Sequence, residues 1–113
     1  MFKTELEEFV GRLKIKFNDY KNNQKYTYFD CYDVEVEYLR KYIKINKVEV
    51  CHDGSRRSSI FCFIDSKTGD IFKPATYKAP AKHARGNILS DEYGMECLDM
   101  KNCSVKYITD IFV

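Results

Sequence analysis

The chain has 113 residues, 44% of them apolar and 32% charged, with a formal net charge of +2. That length suits one domain with a single hydrophobic core, and the composition excludes a disordered tail. No stretch approaches the 18 consecutive apolar residues of a membrane span, and Met1–Val10 is too charged for a signal segment.

Phe2, Leu6, Phe9, Val10, Leu13, Phe17 and Tyr20 recur at helical spacing and predict an N-terminal amphipathic helix. Thr4 followed by Glu7 fits a capping box, and Gly11 inside the stripe suggests close packing. The helix is expected to fade into the polar run Asn18–Gln24. Tyr32, Val34, Val36 and Tyr38 alternate with Asp33, Glu35 and Glu37, the pattern of a half-buried strand.

Tyr42–Val50 reads as a second strand. Ile43 and Ile45 lie on one phase and Val48 and Val50 on the other, which a bulge near Asn46–Lys47 would reconcile. Asp53-Gly54-Ser55 marks a loop. Ser58–Asp65 is apolar on both phases, with Ile60, Cys62 and Ile64 against Phe61 and Phe63, as in a strand buried on both faces. Ser66–Gly69 is a hairpin loop, and Asp70–Lys73 returns as a fourth strand that Pro74 ends or keeps at an edge.

Periodicity then disappears until Ser104. Lys73–Asn87 is expected to be a long irregular loop in which Pro80 starts a short helical turn and Gly86 stops it. Ser104–Val113 is β-rich and predicts a tail strand. The expected architecture is a single α+β domain over residues 1–113: the N-terminal helix on one face of an antiparallel sheet of four to five strands. Its core contains Phe9, Leu13, Phe17, Val34, Val36, Ile43, Ile45, Ile60, Cys62 and Ile64.

Charge is unevenly placed. Between Ser55 and Ile88 stand seven basic and two acidic residues, a net of +5, which leaves −3 for the rest. The five cysteines are odd in number and include no CxxC pair, so reduced thiols in a cytoplasmic setting are expected.

Lys41–Ile45, Gly54–Asp65, Gly69-Asp70 and Lys78–Ile88 carry a pattern, CFID…GD…KAPAK-ARGN with a His between the last two blocks. In this the chain resembles a group of small uncharacterised bacteriophage proteins over about Tyr38–Leu89. Where those proteins tend to have a Trp, this chain has Tyr77. The resemblance implies a viral origin and supplies no catalytic residue.

Lys73, Lys78, Lys82 and Arg85, with His83 and no acid, suit phosphate contact, and Tyr77 suits base stacking. Arg56 and Arg57 are expected at the same end of the sheet. A solvated basic face explains the same residues without a ligand. Asp65 and Asp70 read as turn-capping residues. Cys51, His52, Cys97 and Cys103 lack the close pairs of a zinc site. Adjacent Cys51 and His52 point apart on a strand, which argues against a nucleophile–base pair. No nucleotide-binding or hydrolase motif is present.

The expectation is therefore a non-catalytic accessory protein without metal or cofactor, binding nucleic acid through Arg56, Arg57, Lys73, Tyr77, Lys78, Lys82 and Arg85. The alternative is a protein partner, as for an inhibitor of a host defence system, met by the basic loop or the acidic Asp33–Glu37 face. An enzyme using His83 or a cysteine comes third.

Overall fold

A computed structural model of the chain describes residues 2–24, 29–76, 79–101 and 103–105. Helix α1 spans Lys3–Asn22 and buries Leu6, Phe9, Leu13 and Phe17, the stripe its periodicity marks. The helix starts without a side-chain cap: Phe2 occupies the cap position, and Thr4 already lies inside the first turn, so no capping box forms. Gly11 is exposed, with open space where a side chain would stand, so it marks no close packing.

Five strands follow: β1 Phe29–Tyr38, β2 Tyr42–Cys51, β3 Arg56–Asp65, β4 Asp70–Pro74 and β5 Pro80–Asn87. They form one antiparallel sheet in the order β1-β2-β3-β4-β5, a meander of hairpins with α1 on one face. The α+β architecture is as expected, but the fifth strand is β5. The expected irregular loop with a helical turn at Pro80 is instead an edge strand. Its alternation is illegible because its pairing with β4 slips twice. One step on β4, Ile71 to Phe72, matches two on β5, Gly86 to Ala84; the next two, to Pro74, match four, to Pro80.

Gly69 in the β3–β4 loop has φ +80°, which suits a residue without Cβ. Asp65 caps that loop, its Oδ1 accepting the N–H of Lys67 at 2.8 Å and of Thr68 at 3.1 Å. Asp70 accepts the Asn87 side chain across the β4–β5 pair at 3.0 Å.

After β5 the chain turns through Gly94 and a short 3₁₀ turn, Met95–Cys97. It then forms a separate two-stranded sheet, β6 Leu98–Asp99 with β7 Ser104–Val105. The expected tail strand begins at Ser104, but not in the main sheet, and its residues beyond Val105 lie outside the described residues. Two lysines of the main sheet hold this arm. Lys47 Nζ donates to the Cys103 carbonyl at 3.3 Å and Lys73 Nζ to that of Val105 at 2.8 Å.

Residues paired across strands share a face. Val36, Ile45 and Cys62 form one such row, toward α1. β2 runs without interruption, so Val48 and Val50 face away from the helix and need no bulge in β2. The irregularity lies on β3, where Ile45 faces Cys62 but Asn46 faces Ile60, leaving Phe61 extra. Phe61 and Cys62 both join the helix-side core, and Phe61 stacks edge-on against Phe17 at 4.8 Å. The bulge flips the phase of β3, so Ile60 lies on the face opposite Ile64. Ile60 is half-buried, as are Val34 and Val36 on the edge strand, whereas the other seven expected core residues are buried.

Candidate functional site

Among the described residues, no helix packs on the sheet's second face. Along it the strand pairings set rows of side chains: Asp33–Val48–Ser58, Glu35–Asn46–Ile60 and Glu37–Lys44–Phe63. Tyr42, Phe63 and Phe72 form an edge-on aromatic cluster at one end, with centroids 6.0 and 6.1 Å apart. At the other end Arg56 reaches from β3 across β2 to β1, donating from one nitrogen to Asp33 at 2.8 Å and to Glu35 at 3.3 Å.

Between these ends lies a groove of about 760 Å³. Glu35, Asn46, Ser58 and Ile60 line it, and Pro74, Ala75 and Thr76 form its far wall. The wall stands because Ala75 and Thr76 turn back on Ala79, whose carbonyl accepts both their N–H groups.

Electrostatically the face is mixed, with its acids on β1. Asp33 is held down to about 2, first by Arg56, then by the Val34 N–H, with a further contribution from Lys14 of α1. Glu37 meets Lys44 at 3.8 Å, a long contact. Asn46 is 8% exposed, and its side-chain amide has no hydrogen-bond partner among the described residues.

The structure separates the basic residues singled out from sequence. Arg56 is committed to Asp33 and Glu35 on the open face. Arg57 is exposed and stands opposite Glu49 on the other face. Lys73 holds the Val105 carbonyl, and burial, then the charge of Arg85, lowers its pKa while Asp99 opposes. Lys82 is exposed and Arg85 half-buried on β5, the Arg85 Nε donating to the His83 carbonyl at 3.1 Å.

Lys73 and Arg85 thus come together. Arg56 and Arg57 lie toward the same end of the sheet but further out, because β3 has ten residues and β4 five. Ile60 to Arg56 alone is roughly 13 Å of strand. Tyr77 and Lys78 lie outside the described residues. Edge strands avoid pairing with other chains through bulges and lysines, so Lys82 and Arg85 on a bulged edge have a structural role without any ligand.

His52 pairs through Nδ1 with Asp30, and the Cys51 thiol faces the Glu49 carbonyl at 4.0 Å. His83 is exposed. All five cysteines are free, with Cys62, Cys97 and Cys103 buried, and burial pushes the Cys62 thiol well up. Among the described residues no three His, Cys, Asp or Glu converge as metal ligands, and no helix is long and apolar enough to cross a membrane.

Sequence reasoning marked the acidic strand but missed Asn46 and Ile60 as groove residues. The available signal was an Asn, a residue depleted in strands, inside the β-rich run Ile43–Val50.

The model of one protein family, described as a family of unknown function (DUF7717), matches residues 2–108, and the chain belongs to that family. No curated protein and no solved structure matches the chain.

Proposed function

We propose that this member of the DUF7717 family is a small, non-catalytic accessory protein that binds a protein partner through the open face of its sheet. The observation that carries this reading is the groove across β1, β2 and β3, walled by Pro74–Thr76 and left uncovered by α1. An antiparallel sheet is stable with one face packed and the other wet, so folding does not require a shaped, walled groove on the second face. The resemblance to small bacteriophage proteins supports a viral accessory role inside a host cell.

The nucleic-acid reading has less support. A phosphate-binding surface needs several cations facing solvent together. Arg56 and Lys73 are instead spent on Asp33, Glu35 and the Val105 carbonyl.

A photo-crosslinking residue in place of Ser58, on the open face, tests the proposal against the same residue in place of Glu8 on α1. Nuclease-treated lysate from the cells that produce the chain should give a polypeptide adduct at position 58 and none at position 8. Adducts to nucleic acid in untreated lysate, or equal labelling from both positions, would overturn the protein-partner reading.

A further inference from the structure

We infer that the groove takes an extended peptide segment with a basic side chain and, two residues on, an apolar one; this rests on the protein-partner reading above. The row Glu35–Asn46–Ile60 places an acid, an amide and an apolar side chain on three neighbouring strands. Strands lie about 4.8 Å apart, so the row is roughly 10 Å long, the length of about three extended residues.

Asn46 supplies the central argument. It sits on the groove floor, 8% exposed, and its side-chain amide is unpartnered among the described residues. No buried side-chain nitrogen or oxygen among the described residues lacks a hydrogen bond, so the Asn46 amide opens into the groove, where an incoming group meets it in place of water. One donor and one acceptor on the same group match a peptide unit, which offers one of each.

Charge sets the direction. Glu35 and Glu37 lie two residues apart on one strand and face the same side, about 7 Å from each other. Arg56 already reaches Glu35, but Glu37 has Lys44 only at 3.8 Å. An incoming guanidinium or ammonium is therefore received at Glu37 with Glu35 beside it. At the other end Ile60 is half-buried, and Pro74 and Ala75 of the wall complete an apolar seat. Glu37 and Glu35, then Asn46, then Ile60 thus read basic side chain, backbone, apolar side chain. A nucleic acid, with its phosphates, is repelled by the same carboxylates.

The test is fluorescence anisotropy at low salt with a labelled capped hexapeptide, Arg-Ser-Leu repeated twice, in which each Arg and the Leu two residues on share a face. Binding should be saturable, and it should be lost when Glu replaces each Arg. The double substitution E35Q/E37Q should weaken it at least ten-fold, and Asn46→Ala about ten-fold, while Glu7→Gln on the helix leaves it unchanged. The glutamates are exposed, so the double variant keeps the test decisive even if Asn46→Ala fails to fold. No binding, equal binding of the Glu peptide, or full affinity in E35Q/E37Q would overturn the inference. Displacement by spermidine as effective as by unlabelled peptide would also overturn it, assigning the site to free polyamines. A polypeptide adduct at position 58 without Arg-Ser-Leu peptide binding sinks only this inference; absence of the adduct sinks the reading beneath it.

Discussion

The side chain of Asn18 pairs with both backbone groups of Tyr32. The Tyr32 N–H donates to Asn18 Oδ1 at 2.8 Å, and Asn18 Nδ2 donates to the Tyr32 carbonyl at 3.1 Å. A side-chain amide thereby occupies the place of a sixth strand on the free edge of β1. The next outward N–H, that of Val34, is taken by Asp33 Oδ1 at 2.8 Å. Edges with unpaired backbone groups are templates for association; these two contacts blunt one edge, as bulges blunt the other at β5.

Asn18→Ala should cost about 1–2 kcal/mol, since it removes two partly buried hydrogen bonds worth ~0.5–1.5 kcal/mol each. Urea unfolding measures the loss. Light scattering at rising concentration should show association in the variant and none in the parent chain.

Asp33 joins α1, β1 and β3 through Lys14 and Arg56. Its folded pKa of about 2 lies below the ordinary 3.8. The unfolded state therefore takes up the proton first as pH falls. The stabilisation is full above about pH 4 and disappears as pH drops through about 2. With a third of the side chain exposed, screening reduces the contribution to about 1 kcal/mol. Urea titrations at pH 5 and pH 2.5 should show this difference shrinking in Arg56→Ala.

Ile64 and Ile60 test the phase flip at Phe61. Ile64 is fully buried on the helix side, and Ile64→Ala should cost ~2–5 kcal/mol, the range for truncating a packed aliphatic. Ile60→Ala, on the groove floor, should cost less than about 1.5 kcal/mol, because part of its surface is already wet. Equal losses in chemical denaturation would mean that both residues share one face.

Gly94 has φ +85°, and a Cβ there would stand 2.4 Å from Ile71 Cδ1 and 3.3 Å from a Phe9 ring carbon. Gly94→Ala should cost about 1–2 kcal/mol for the left-handed backbone, with crowding added. In an Ile71→Val background the crowding component should fall and the backbone component remain. The double-mutant cycle, read by thermal unfolding, separates the two.

The helix stripe, the β1 alternation and the Ser66–Gly69 hairpin were legible in the amino-acid sequence because each is a local pattern repeated against one buried face. The acidic strand Asp33–Glu37 was legible as half of the candidate site. Tertiary structure decided the rest. Residues 60–64 are apolar on both phases, so nothing in their order reveals that the extra residue Phe61 turns Ile60 toward the groove. Pro80–Asn87 lacks alternation because its register slips against β4, and a bulged edge strand imposes no period on its side chains. The positive charges of Arg56 and Lys73 were visible; their partners were not. Asp33 lies 23 residues from Arg56, and the Val105 carbonyl 32 from Lys73. Only the folded sheet brings such groups within hydrogen-bonding distance, and that pairing determines which cations face solvent.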